Sequence, residues 1–311
     1  MKSRNIQTIL LSLLVMALWG SLFPFLKIGY TVFNIDASSV PDILMFAGMR
    51  FVVSGAIVSG FCLLRKEKLG NPKGKQILNI FLSGLFAIVL HYAFTYIGIS
   101  TTDSSKTALI KQLGVLLYVC FAFLFFRDEK FSLLKILGGI LGFAGIVAIN
   151  YNPGGISFST GDILIILASI CSVVASIISK KCVAGNSPFW VTGISQLTGG
   201  LILLAAAVCL GGKGLAFTWR SVAVFSYICV SSIAAYTLWY YILKTSTLSW
   251  LFVVKFAEPL FACLFGAVLL GENIFKWQYL AAFVLISFGV ILGNKSEKTE
   301  EKEYEKSASH G

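Results

Sequence analysis

Apolar residues along this chain form long stretches separated by short polar segments. A helix of about 20 apolar residues crosses the hydrocarbon core of a bilayer. The pattern therefore predicts an all-α integral membrane protein. It places ten transmembrane helices at about residues 6–28, 43–64, 77–99, 105–126, 133–150, 161–180, 189–210, 219–243, 248–270 and 277–293.

A long segment of the chain, residues 78–146, recurs without a gap 144 positions later. An internal duplication within a hydrophobic chain is typical of secondary transporter folds. The matched pairs include Tyr92 and Tyr236, Tyr96 and Tyr240, Lys111 and Lys255, and Asp128 with the acidic Glu272.

The duplication also predicts the domain organisation. Ten helices divide into two units of five, at residues 1–152 and 153–293. Because five is odd, the second unit must enter the membrane in the opposite orientation, which makes an inverted repeat. Residues 294–311, rich in Lys and Glu, are expected to form a disordered cytoplasmic tail.

Composition supports the membrane assignment. Only 13% of the residues are charged, against about 25% in soluble domains. The net charge of +11 lies in short clusters between apolar stretches, which excludes a nucleic-acid groove. Seventeen of the 25 lysines and arginines fall in loops predicted on one side of the membrane, and four fall in loops on the other side. This bias predicts a multi-pass protein of the bacterial plasma membrane with both termini in the cytoplasm.

Two matched lysines lie within predicted membrane spans. Lys111 and Lys255 each lie about seven residues into their helix, or about 10 Å deep. One helix starts outside and the other inside, so inverted symmetry brings both ammonium groups towards one central level. Arg50 lies at a similar depth in the second helix, and its counterpart is Gln196.

Glu258 is the one carboxylate close in sequence to these cations. It follows Lys255 by three residues, so the two share a helix face and could pair. A buried cation costs at least about 2.5–3.5 kcal/mol on insertion scales, which favours a functional role for the excess positive charge. In one reading, Arg50 and Glu258 lock helices together while the lysines extend to the interface. In the other, Lys111 and Lys255 bind an anionic group of a solute.

Several aromatic residues fall on the faces of the same helices. Tyr92 and Tyr96 on the third span match Tyr236 and Tyr240 on the eighth, and Trp19 begins a stripe on the first. They are candidates for lining the cavity, although such stripes more often serve packing. His91 is interpreted as a packing residue rather than a proton relay. Pro259 predicts a break in the ninth span.

The sequence has no signature of enzymatic chemistry. It lacks a Walker lysine loop, G-x-S-x-G and H-E-x-x-H. We therefore expect the protein to be neither an enzyme nor an ATP-driven pump. Its seven cysteines include no C-x-x-C pair, so neither a metal nor another cofactor is expected. The expected partners are a small-molecule solute and the lipid bilayer, with a homodimer left open.

The chain resembles the EamA-type family of the drug/metabolite transporter superfamily over nearly all of residues 6–293. The resemblance rests on Trp19-Gly20, Arg50-Phe51, Glu258-Pro259 and Gly271-Glu272, together with ten spans in two halves. It implies ten helices around a central solute cavity and transport by alternating access. It also implies that such a protein in a bacterium often exports metabolites. The chain departs from the pattern at two places. The first repeat has Gly114-Val115 where the second has Glu258-Pro259, and the second repeat has Ser172 where Trp19 would recur.

These observations predict a secondary-active exporter of a small polar metabolite that carries a carboxylate, such as an amino acid or an organic acid. The first alternative is an exporter of cationic or aromatic drugs, bound by Glu258 and the tyrosines. The second is a membrane receptor or passive pore without transport activity.

Overall fold

The computed structural model describes residues 6–67, 74–125, 133–149, 151–152, 155–156, 158–246, 251, 254–255, 257–289 and 291–292. The predicted tail at 294–311 lies outside these residues. The described chain is helical except for short connections and one small antiparallel strand pair, β1 (Tyr151–Asn152) and β2 (Gly155–Ile156). Its helices are α1 Ile6–Val32, α2 Val40–Leu64, α3 Gly74–Gly84, α4 His91–Ser100, α5 Ser104–Ile110, α6 Gln112–Phe125, α7 Leu133–Ile149, α8 Thr160–Gly185, α9 Pro188–Cys209, α10 Trp219–Thr245, α11 Ala257–Leu270 and α12 Trp277–Gly289.

Six of these helical segments are long and apolar enough to cross a membrane. They are Gln7–Val32, Val40–Leu64, Leu78–Ser100, Thr160–Gly185, Pro188–Cys209 and Trp219–Thr245. Shorter apolar helices at Ile136–Gly145, Ala257–Leu270 and Trp277–Gly289 correspond to the predicted fifth, ninth and tenth spans. The protein is therefore an all-helical, multi-pass membrane protein, as the hydrophobic pattern predicts.

The third predicted span is one helical rod with an internal irregularity. A π-helical turn at Leu85–Leu90 joins α3 to α4. Such turns occur mostly as single insertions and frequently at functional sites. Within this turn, the carbonyl oxygen of Ala87 accepts a hydrogen bond of 3.3 Å from the Tyr236 hydroxyl of α10. The irregular turn therefore contacts the second half of the chain through a side chain.

Both lysine-bearing helices are interrupted at the lysine itself. Pro259 has no N–H to donate to the carbonyl four residues earlier, which is that of Lys255. That carbonyl accepts instead from the Glu258 N–H, at 3.0 Å and three residues away. The first repeat has no proline there, yet Lys111 separates α5 from α6 and its carbonyl accepts from the Gly114 N–H at 3.3 Å. The sequence predicted the break in the ninth span but not the one in the fourth.

Glycines allow α2 and α9 to pack with their backbones close together. A Cβ atom on Gly48 would lie 2.7 Å from the backbone nitrogen of Leu204, and a Cβ on Gly55 would collide with the backbone of Leu197. Small residues at such contacts are the usual basis of helix association in membranes, where close backbone approach supplies the packing energy.

We expect Gly48→Ala to destabilise the folded protein by about 1–3 kcal/mol, because the added methyl group meets backbone that cannot rotate away. Gly60→Ala in the same helix is the matched control, since a Cβ there has nothing within 4 Å. Thermal unfolding of the two purified variants measures the difference. Equal melting temperatures would show that α2 and α9 do not pack this closely.

The carboxylate of Glu272, which follows α11, caps the start of α5. It accepts hydrogen bonds from the backbone N–H groups of Ser104 at 2.9 Å and Ser105 at 3.0 Å. The Ser105 hydroxyl also donates to it, at 2.6 Å. These bonds satisfy donors that a helix start leaves free, and a negative charge is favourable there. The second half of the chain thus fixes where the lysine-bearing helix of the first half begins.

Candidate solute-binding site

A narrow cavity lies between the helices of the two halves. The space within it that is open to the centre of a water molecule is about 70 Å³. Its walls come from α1, the π turn, α4, α6, α8, α10 and the interrupted ninth span. The described lining residues that carry the argument below are Trp19, Phe23, His91, Tyr92, Lys111, Gln112, Ser169, Ser172, Ser176, Ser179, Tyr236, Trp239, Tyr240, Lys255 and Glu258.

The two matched lysines line this one cavity. The Nζ atom of Lys111 lies 3.4 Å from Oε1 of Glu258 and 4.9 Å from the ring centre of Phe23. The side chains of Lys111 and Glu258 are only 15% and 6% exposed, so the ion pair is largely removed from solvent. Lys111 comes from the first copy of the duplicated segment and Glu258 from the second. The pair therefore joins the two halves at the cavity wall.

Lys255 lies in a different environment on the same cavity. Its Nζ atom lies 3.4 Å from the hydroxyl oxygen of Ser172 on α8. The ammonium group also lies over two indole rings, 5.6 Å from the centre of Trp19 and 5.0 Å from that of Trp239. Both distances fall within the range of attractive cation–π contact. The sequence missed Trp239, which lies three residues after Tyr236.

Glu258 lies closest to a lysine other than the one expected from its spacing, although its charge also acts on Lys255. The spacing suggested pairing with Lys255, three residues earlier, whereas the described ion pair of Glu258 is with Lys111. The physical reason is the helix interruption at Lys255, because the face-sharing of residues i and i+3 holds only along a continuous helix. Both lysines and Glu258 nevertheless line the cavity.

The predicted aromatic residues divide into two groups. Trp19, Tyr92, Tyr236 and Tyr240 line the cavity. The indole of Trp19 packs edge-on against Tyr236, with ring centres 5.8 Å apart, and contacts Trp239 at 5.1 Å. Tyr96 is fully buried and lies outside the described lining.

Arg50, also a candidate binding residue, lies outside the described lining. Its side chain is fully buried, and Nε donates to the Ser232 hydroxyl of α10 at 2.8 Å. Another guanidinium nitrogen donates to the Tyr96 hydroxyl. The guanidinium carbon also lies 4.6 Å from the ring centre of Phe51. Arg50 therefore ties α2 to α4 and α10, in agreement with the reading in which it locks helices together.

A row of serines forms the α8 wall and was missed by the sequence analysis. Ser169, Ser172, Ser176 and Ser179 all line the cavity. Their spacing of three, four and three residues places them on one helix face, and this was the signal in the sequence. Ser172 occupies the position where the repeat would carry a second Trp19. One half of the chain thus supplies an aromatic wall on α1 and the other a hydroxyl wall on α8.

Two further polar residues complete the lining. His91 is 5% exposed, and its Nδ1 lies 3.0 Å from the carbonyl oxygen of Ala168. Because a carbonyl only accepts, Nδ1 carries the proton and donates. Gln112, which follows Lys111 directly, is 2% exposed, and its Nε2 lies 3.4 Å from the carbonyl oxygen of Ala108. The site is therefore a small cavity with cationic, hydroxyl and aromatic walls.

The described residues contain no group of three or more His, Cys, Asp or Glu side chains that could hold a metal ion. The polar groups of the cavity are instead suited to hydrogen bonding and ion pairing with an organic solute.

Comparison with known proteins agrees with this architecture. The chain is 29% identical over 279 residues to the uncharacterized inner membrane transporter YedA of Escherichia coli (strain K12), covering 88% of this chain and 86% of that protein. It is 25% identical over 299 residues to the uncharacterized transporter YvbV of Bacillus subtilis (strain 168), covering 94% and 93% of the two chains. A solved crystal structure that is 18% identical superposes with a TM-score of 0.65 over 93% of this chain and 96% of that chain, which supports the fold.

The family assignment comes from a sequence profile. The profile of the EamA-like transporter family matches this chain twice, over residues 6–151 and again over residues 159–294. The two matches together span most of the chain, and each contains one of the cavity lysines. The chain belongs to the EamA-like transporter family.

Proposed function

We propose that the protein is a secondary-active transporter that moves a small carboxylate-bearing metabolite through the cavity by alternating access. The observation that supports this most strongly is that Lys111 and Lys255, from the two copies of the duplicated segment, line one cavity. The described lining thus has two ammonium groups and one carboxylate, that of Glu258. A solute carboxylate would bind to the ammonium groups.

The contacts of the lysines favour an anion over a cationic drug. Glu258, the group that would bind a cation, is paired with Lys111 at 3.4 Å. The indole faces of Trp19 and Trp239 are occupied by the Lys255 ammonium. A cationic solute would have to displace both interactions.

The proposal includes the architecture of ten helices in two inverted repeats, residues 1–152 and 153–293. The two profile matches, the constant offset of 144 positions and the interruption of both lysine-bearing helices support it. Interrupted helices around a central site are a recurring feature of transporters built from inverted repeats. In such folds the two halves rock about the site and expose it to each side in turn.

Orientation is part of the proposal, with both termini in the cytoplasm of a bacterium and export as the direction of transport. A cysteine at Ser38, in the exposed connection between α1 and α2, is expected to react with an impermeant thiol reagent added to intact cells. A cysteine at Gly70, which lies outside the described residues, should react only after the membrane is opened. The opposite labelling pattern would reverse the orientation.

Transport itself is tested with purified protein in liposomes. A labelled short-chain carboxylate should enter with saturable kinetics, and unlabelled carboxylate trapped inside should accelerate entry by counterflow. An imposed pH gradient shows whether protons are coupled. A passive pore would give entry without saturation or counterflow, and a receptor would bind the solute without moving it; either result would overturn the proposal.

A further inference from the structure

His91 carries an unpartnered ring nitrogen in the wall of the cavity. The residue lines the cavity from α4, and its Nδ1 donates to the Ala168 carbonyl of α8 at 3.0 Å. The other ring nitrogen, Nε2, has no hydrogen-bond partner among the described residues. Nor is it one of the unpartnered nitrogen and oxygen atoms that are closed to water. Nε2 is therefore the atom through which the ring exchanges a proton with the cavity.

The imidazole ring is held in place in either charge state. Nδ1 carries a proton in the neutral ring and in the cation, so protonation at Nε2 leaves the hydrogen bond to Ala168 intact. The ring also packs edge-on against Tyr92, with ring centres 4.7 Å apart. The side chain is thus positioned to gain and lose a proton without changing its packing.

The charged groups that act on this ring are Lys111, Lys255 and Arg50. Both lysines line the same cavity, whereas Arg50 lies on α2, which packs against α4. The lining tyrosines do not ionise near neutral pH, and Glu258 lies 3.4 Å from Lys111. A further positive charge close to two ammonium groups, on a ring only 5% exposed, is unfavourable. The ring is therefore neutral while no anion is bound.

A solute carboxylate changes this balance. Bound to the lysines, it brings a negative charge into the cavity that His91 lines, and Coulombic attraction then favours the protonated ring. The new Nε2–H group is also a donor that faces the space of the solute. Because coupling between two ligands of one protein is reciprocal, the proton strengthens binding of the carboxylate by the same factor.

We infer that His91 is the proton-binding site of the transporter and that one proton moves together with each carboxylate. The neutral ring takes a proton from solution at Nε2 as the anion binds, and it returns that proton to solution when the anion leaves on the other side. The only bond formed and broken is this N–H bond, and the anion and the proton together add no net charge to the site. This inference rests on the proposed function and adds the coupling ion and its binding residue. It replaces the interpretation of His91 as a packing residue.

Titration calorimetry of pyruvate into the purified full-length protein measures the coupling. Pyruvate is a strong acid that stays ionised near neutral pH, so its own titration does not contribute. The protonated ring favours the anion and is lost as pH rises, so affinity should be about fivefold higher at about pH 6 than at about pH 8. Heats in two buffers of different ionisation enthalpy should show proton uptake on binding.

His91→Asn retains an amide N–H group for the Ala168 carbonyl and removes Nε2. The pH dependence of affinity should fall to about twofold or less in this variant. His310→Asn is the matched control, because His310 is the other histidine of the chain and belongs to the predicted tail. It should keep the full dependence.

The lysine variants exclude the other titratable groups of the site. A lysine that loses its proton as pH rises would weaken carboxylate binding in the same direction. If His91 binds the proton, Lys255→Gln and Lys111→Gln should keep the pH dependence at a lower affinity. A dependence that persists in His91→Asn and is lost in either lysine variant would assign the proton to that lysine and overturn the inference.

Transport separates this inference from the proposed function. In liposomes at about pH 8 inside and about pH 6 outside, the unaltered protein should accumulate labelled pyruvate several-fold, whereas protein-free liposomes should not. His91→Asn should keep counterflow but lose the accumulation. Counterflow without accumulation in the unaltered protein, or accumulation retained in His91→Asn, would overturn the inference alone.

The remaining outcomes are also decisive. If pyruvate neither binds nor shows counterflow, the inference and the proposed function both fail. If His91→Asn does not fold, proton uptake on binding by the unaltered protein and by Lys255→Gln decides instead. Binding without proton uptake in both proteins would overturn the inference.

Discussion

Lys255→Gln is expected to weaken binding of a small carboxylate about 10- to 100-fold. Glutamine keeps most of the side-chain length but loses the charge. A charge-assisted hydrogen bond contributes roughly 1.5–3 kcal/mol, which corresponds to that range of affinity. Lys255 is only 8% exposed, so water cannot readily replace the lost interaction. Arginine should not restore full affinity, because its planar fork differs from a compact ammonium group.

Lys111→Gln should have an effect of similar size with an additional loss of stability, because it leaves the buried Glu258 carboxylate without its ion-pair partner. The double variant Lys111→Gln/Glu258→Gln should recover stability but not affinity. Titration calorimetry on the purified variants measures binding, with Lys213→Gln as a control, since Lys213 is an exposed lysine remote from the lining. Normal affinity in both single variants would place the solute elsewhere.

Arg50→Gln is expected to destabilise the folded protein by roughly 2–4 kcal/mol, through the loss of buried hydrogen bonds. The substitution removes the hydrogen bonds to Ser232 and Tyr96 and leaves both hydroxyls in a buried environment. It also introduces the residue found at the equivalent position of the second repeat, Gln196. At about 2–4 °C per kcal/mol, the apparent melting temperature should fall by roughly 10 °C.

The same variant distinguishes a structural role from a binding role. Because Arg50 lies outside the described lining, the protein that remains folded should bind carboxylate within about threefold of the unaltered affinity. Arg65→Gln, at an exposed position after α2, is the control for loss of an arginine. It should change neither the melting temperature nor the affinity for carboxylate. An unchanged melting temperature together with a large loss of affinity would show that Arg50 contributes to solute binding rather than to stability.

Much of the fold could be predicted because hydrophobic length and internal repetition are directly visible in the sequence. The two lysines were visible as a matched pair at the constant offset of 144 positions, and both line the cavity in the structure. The serine row on α8 was equally visible, at spacings of three and four residues, but serines in an apolar helix were not read as a pattern.

The remaining features depended on information that the sequence does not contain. Depth along a helix says nothing about the direction in which a side chain points. The Arg50 side chain donates to Ser232 and Tyr96 and lies outside the described lining of the cavity. Similarly, the partner of Glu258 depends on the interruption at Lys255 and on how α11 packs against α5, which only tertiary packing determines.

The central claim, that the solute binds in the cavity between the two lysines, is tested most directly by solute protection of a cysteine placed there. Ser172→Cys, introduced after the natural cysteines are replaced, puts a thiol within the lining close to Lys255. Saturating carboxylate should slow its reaction with a small thiol reagent about 10-fold or more, whereas a cysteine at Ser38 should react at the same rate with and without solute. Undiminished labelling at position 172 in a protein that still transports the carboxylate would contradict the account.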